Sequence, residues 1–235
     1  MKIVYWSDYS CPYCYIGEAR LKKALLELNI SDKVEVEMKA FQLDPNAPKR
    51  SIGDTVTRFA HKYGMTKTQA KEQINYISQM GVAEGLDFKY ASTLFTNTMD
   101  AHRLTKYVAS KGNEKLTEKI IEELFKAYFT YNLELADKNV LMSVASKVGL
   151  IKNEIEQLLN SDKFKNEVII DEQQASMNGI HGVPYFIIDQ HEISGAVSVD
   201  RLKQTISIII QKNLSNGKGI NQENMTCGPK GYKIK

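Results

Sequence analysis

The chain has 235 residues, 43% of them hydrophobic, with 31 basic and 28 acidic residues mixed along its length for a net charge of +3. That suffices for one large domain, or one domain with a sizeable insertion; it excludes a disordered or fibrous chain, and the charge lacks the concentrated basic field that binds nucleic acid. No stretch approaches membrane-spanning length, MKIVYW enters an apolar run with no export signal, and three cysteines are too few for a disulfide scaffold, so a soluble cytoplasmic protein is expected.

The first six residues after Met1, KIVYWS, have strand character. DYSCPYCYIG follows, and then Leu21, Ala24, Leu25 and Leu28 recur at helical offsets with Lys22, Lys23 and Glu27 opposite. In KVEVEMKAFQL, Val34, Val36, Met38 and Ala40 alternate with Glu35, Glu37 and Lys39, as in a half-buried strand, which completes a β-α-β unit. From about Asp54 to Met177 the periodicity is helical only, broken at Gly64, Gly81, Gly112 and Gly149, each suited to ending a helix; Asp137 suits an N-cap. VPYFIID and QHEISG read as a hairpin turning near Asp189 and Gln190, and Val199, Leu202, Ile206 and Ile209 mark a last helix. The order implies an α/β fold in which residues 1–45 and 180–214 share one sheet, residues 46–179 form an all-helical insertion, and residues 215–235, rich in Gly, Asn and Lys, form a tail.

Cys11 and Cys14 stand where a strand hands over to a helix. A thiol attacks only as its thiolate, and the unpaired N–H groups and positive dipole end of a first helical turn favour that anion at Cys11. Pro12 suits the first turn. Cys14 lies on the same face, within disulfide reach and deeper in the helix. Cys11 is then the nucleophile and Cys14 the resolving thiol, with Pro12 and Tyr13 setting how strongly the reduced form is favoured. Two other readings compete. Zinc needs four ligands, and Cys227 with His61, His102, His181 or His191 would have to complete the set without a second closely spaced pair; inert packing of both cysteines is the third.

A second signal lies in GIHGVPYFIID, where Pro184 stands at the threshold of a strand, in itself a tolerated position for proline. Together with SDYSCPYCYIG, NTMDAHRL and ISGA, it makes the chain resemble the DsbA-like branch of the thioredoxin superfamily, in particular the cytoplasmic FrnE-type proteins related to 2-hydroxychromene-2-carboxylate isomerase. The resemblance implies a thioredoxin fold whose helical insertion walls the active-site cleft. It implies a cis Val183–Pro184 bond facing the cysteines, with the Val183 backbone open to an extended substrate. It also places Asn97, Thr98 and His102 at the cleft, where His102 either shifts the thiolate equilibrium and passes a proton, or simply packs or caps a helix. His181 is a weaker candidate, and His61 and His191 read as surface residues.

The chain departs from its relatives at three places. Tyr5 stands where many thioredoxin-like enzymes carry an acid, leaving Asp8, which caps the helix or stays solvated, as the nearest carboxylate. CGPKGY offers Cys227 but Tyr232 in place of a second tail cysteine, and Val197 replaces a common glutamine. The expected activity is thiol-disulfide exchange on protein or low-molecular-weight disulfides, without metal or nucleotide cofactor, with glutathione or another thiol as redox partner and no nucleic-acid or membrane partner. The alternative is a glutathione-dependent small-molecule isomerase, whose family generally lacks paired cysteines. A zinc-bearing, non-catalytic binding module is the third class.

Overall fold

The computed structural model describes residues 1–215. Strand β1 (Lys2–Ser7) leads into helix α1 (Pro12–Glu27), and β2 (Glu35–Ala40) returns parallel to β1, from Lys2 opposite Glu35 to Ser7 opposite Ala40. Far along the chain, β3 (Tyr185–Ile188) pairs antiparallel with the other side of β1, β4 (His191–Ser194) pairs antiparallel with β3, and α9 (Val199–Ser215) packs on α1. The sheet order β2-β1-β3-β4 puts β1 inside. Its residues are accordingly buried on both faces: Ile3 and Tyr5 join the main core, while Trp6 packs with Ala175 and Ile180 on the other side. This is a thioredoxin-like fold with a helical insertion.

The insertion is built from α2 (Thr55–Tyr63), α3 (Lys67–Ala83), α4 (Met99–Ala109), α5 (Glu114–Phe129), α6 (Lys138–Lys147), α7 (Lys152–Leu159) and α8 (Lys165–Met177). Side chains satisfy the free amides at several of its helix starts: Asp54 accepts from Thr57 N, Asn113 from Leu116 N and Asp137 from Asn139 N, and Thr66 with Gln69 closes a capping box. Gly64 ends α2 in the left-handed region. Gly81, expected to end a helix, lies inside α3, where a Cβ would stand 2.6 Å from the Phe88 ring; it is there for close packing. Val36 also departs from expectation. It is exposed, because β2 is an outer strand and its alternation buries only Val34, Met38 and Ala40.

The two halves share one core, in which Tyr15 of α1 stacks on Phe125 of α5 at 4.9 Å. A polar node joins them as well. The buried Asp171 of α8 accepts from Ala40 N at 2.7 Å and from Lys39 at 3.3 Å and pairs with Lys106 of α4, while its carbonyl accepts from the Trp6 indole. This node fixes α4 and α8 against the end of the sheet that carries the cysteines.

Candidate active site

Cys11 is the N-cap of α1 and Pro12 its first residue. The Cys11 amide donates to the Asp8 carbonyl at 3.0 Å, closing a tight turn between β1 and α1, and the Cys14 amide donates to the Cys11 carbonyl at 3.1 Å. Both cysteines are free thiols. The Cys11 thiol donates to the Val183 carbonyl at 3.5 Å, and Cys14 Sγ accepts the Asp8 N–H at 3.5 Å. The Val183–Pro184 bond is cis. Gly17 explains how closely this loop approaches α1: a Cβ there would stand 3.1 Å from Pro184 and 3.3 Å from Phe186.

Burial separates the two sulfurs less than their order in the helix suggests, since Cys11 is 3% and Cys14 1% exposed. Tyr13, between them, is 37% exposed and faces outward. Burial pushes the Cys14 thiol well above its ordinary value, and the neighbouring Cys11 adds to this, while the Asp8 amide and the Ser7 side chain act in the opposite direction. Cys14 is therefore held as a thiol at rest.

Asp8 neither caps α1 nor stays solvated. It is buried and accepts from Ser10 N, Ser10 Oγ and Leu43 N at 2.8–3.2 Å, tying the turn to the segment after β2. Burial alone would raise its carboxyl, but His102, 3.6 Å away, and the Leu43 and Ser10 amides outweigh it and hold the group below its usual value. His102 is 1% exposed, its Nε2 has no hydrogen-bond partner, and its ring lies 4.9 Å from that of Tyr9. It does not line an open cleft; it faces the carboxylate of Asp8, whose backbone amide meets Cys14. Asn97 spends its side chain on backbone, donating to Pro45 O at 2.8 Å and accepting from Met99 N at 2.9 Å, and Thr98 is the buried N-cap of α4.

Tyr5 is buried and stacks on Phe186, with its phenol pushed up by burial and by Glu18. Glu18, one turn beyond Cys14, is also buried; burial raises its carboxyl against the pull of Lys22, 3.0 Å away. His61 and His181 are exposed and His191 is half-buried, and Val197 is half-buried with its amide turned back to Gly195 O. Among the described residues no three His, Cys, Asp or Glu side chains group as metal ligands; Cys227 and Tyr232 lie outside those residues.

Sequence reasoning missed Ser7, Gly17 and Glu18. For Gly17 a signal existed, a glycine inside an otherwise well-patterned helix. Ser7 and Glu18 carry none, since their burial depends on partners distant in the chain.

The DSBA-like thioredoxin domain matches residues 2–207. The uncharacterized protein YwbO of Bacillus subtilis is 27% identical over 207 residues, covering 86% of this chain and 94% of that protein. Among solved structures, a probable DsbA oxidoreductase from Streptomyces coelicolor superposes with a TM-score of 0.83 at 29% identity, covering 100% of this chain and 99% of the other. 2-Hydroxychromene-2-carboxylate isomerase shares the fold at a TM-score of 0.66 and 16% identity, over 93% and 98% of the two chains. The cytosolic disulfide reductase DsbM of Pseudomonas aeruginosa does so at 0.59 and 13%, over 92% and 100%.

Proposed function

The chain belongs to the DSBA-like thioredoxin family, and from that premise we propose that it is a cytoplasmic thiol-disulfide oxidoreductase acting through Cys11 and Cys14 on protein or low-molecular-weight disulfides. The observation that carries the reading is the placement of two free thiols at the N-terminus of α1, one against the Val183 carbonyl and the other against the Asp8 amide. The Cys11 thiolate attacks a substrate disulfide R–S–S–R′, forming Cys11–S–S–R and expelling R′S⁻, which takes a proton from solvent. The Cys14 sulfur, once deprotonated, attacks Cys11 Sγ; the Cys11–Cys14 bond forms, RS⁻ leaves, and the dithiol is oxidised as the substrate is reduced. A thiol such as glutathione reverses these steps and restores the dithiol. Tyr13, on the exposed side, and the Val183–Pro184 segment bind the incoming chain. The resemblance makes His102 and Asn97 substrate-binding candidates, but His102 is buried against Asp8 and Asn97 is bonded to Pro45 and Met99, so neither is assigned that role here.

The DsbM structure has also been solved with glutathione, which supports glutathione as the partner to test first. Equilibrating the protein in glutathione mixtures and quantifying the Cys11–Cys14 disulfide by mass spectrometry gives the redox constant. Cys14→Ser is expected to accumulate a mixed disulfide at Cys11, and Cys11→Ser to accumulate none at position 14. Unchanged disulfide turnover in both variants would refute the proposal. The isomerase alternative draws on the shared fold alone, and the paired cysteines count against it.

A further inference from the structure

We propose that the Ser7 hydroxyl, together with the Asp8 backbone N–H, forms a receptor for the thiolate of Cys14, so that the second sulfur is activated from the end of β1. The inference rests on the oxidoreductase reading and assigns a residue to its second step.

Ser7 is the last residue of β1 and has no exposed surface, and its Oγ has no hydrogen-bond partner. A buried hydroxyl that has given up water for nothing is costly, and such groups recur where another state of the protein uses them. Here the other state is at hand. The Asp8 N–H already points at Cys14 Sγ from 3.5 Å, and Ser7, its neighbour at the end of β1, brings a buried and unpartnered hydroxyl whose effect on the same sulfur favours the ionised form. A neutral thiol is a poor acceptor and leaves the hydroxyl idle; a thiolate is a strong one, and two donors from one strand end converge on it.

The other groups around Cys14 do not do this work. Burial and the Cys11 sulfur oppose ionisation. Tyr5, facing from β1, is itself held neutral, and Glu18, further along α1, is engaged with Lys22. The Asp8 carboxylate is turned to Ser10 and Leu43 and, across the interface, to His102 of α4. In the resolving step Cys14 gives its proton to solvent and its sulfur attacks Cys11 Sγ. The Cys11–Cys14 bond forms as the bond from Cys11 to the substrate sulfur breaks, and the departing thiolate keeps the electron pair and is protonated by solvent. The substrate disulfide is the oxidant, so no further reactant enters.

The test uses the full chain with Cys227→Ser, so that only the paired thiols react, and dithiobisnitrobenzoate as the disulfide. Attack by Cys11 releases one coloured thiolate and resolution by Cys14 a second. In Ser7→Ala we expect an unchanged or higher unfolding midpoint, a first release within about twofold of wild type, a second release about tenfold slower, and its pH dependence moved upward by about one unit. Ser7→Thr, which keeps the hydroxyl, should restore the second release to within about threefold. If the alanine variant does not fold, Ser7→Gly deletes the same hydroxyl and carries the same expectation. A second release within about twofold of wild type in the folded deletion variant would overturn the inference, because a hydroxyl with a purely structural role predicts that result. Absence of the first release from the wild-type protein would instead overturn the oxidoreductase reading itself.

Discussion

The sheet half and the helical half meet at the cysteines with different materials. The sheet half supplies the two free thiols and, around them, mostly backbone: the Val183 carbonyl, the Asp8 amide and the first turn of α1. The helical half supplies buried side chains, His102 against Asp8, and Lys106 with Asp171 against the end of β2. Chemistry carried by backbone tolerates a change of neighbouring side chains, whereas an interface held by buried charge does not. Lesions on the two sides should therefore differ in kind, with lost turnover on one and lost stability on the other.

The sharpest way to break this contrast is Cys11→Ser, expected to lower disulfide turnover by about a thousandfold or more with the unfolding midpoint little changed. Insulin reduction and thermal unfolding, read together, check it; a large loss of stability would show that the sulfur also holds the fold. Asp171→Ala is the opposite case. It strands Lys106 and orphans the Ala40 amide, while Lys39 keeps Glu37 at 2.9 Å, and an unfolding free energy lower by about 3–5 kcal/mol is expected in urea titrations, with exchange chemistry retained below the transition.

Gly17→Ala tests the seam between α1 and the Val183–Pro184 loop. The added Cβ conflicts with Pro184 at a cost of about 1–3 kcal/mol, partly offset by about 1 kcal/mol of helix propensity, and both the glutathione equilibrium and stability should move.

Acid titration separates the two buried carboxyls. The Asp8 carboxyl is depressed in the fold, so the stability it contributes is fully present above the unfolded value of about 4 and is lost as pH falls through its lower folded value. The Glu18 carboxyl is raised, so the folded chain binds the proton more tightly there, and stability declines as pH rises from the unfolded value to the folded one. Denaturant midpoints measured against pH should therefore flatten below the ordinary carboxylate range in Asp8→Asn and above it in Glu18→Gln. The smallest effect is expected of Tyr13→Ala, whose exposed ring should shift the glutathione equilibrium about threefold and leave stability unaltered.

What could be read from the sequence was local. The strand-to-helix junction at Cys11, the hairpin at Asp189 and Gln190 and the cap at Asp137 each follow from neighbours a few residues apart. Gly81 misled because a glycine that ends a helix and one that admits an aromatic ring from a neighbouring segment look alike without the partner, here Phe88. The site divides in the same way. Cys11, Cys14 and Pro184 are visible as motifs, but that Asp8 is buried, that His102 sits beneath it, and that Ser7 lacks a partner depend on where α4 and the segment after β2 come to rest.

The contact between the Cys11 thiol and the Val183 carbonyl spans 172 residues of chain. On the ribosome, both thiols emerge long before the segment that encloses them is translated. Through most of synthesis the nascent polypeptide thus carries Cys11 without the carbonyl that later covers it. A chain truncated before β3 lacks that covering carbonyl, and its Cys11 should react faster with an alkylating reagent than Cys11 of the complete chain.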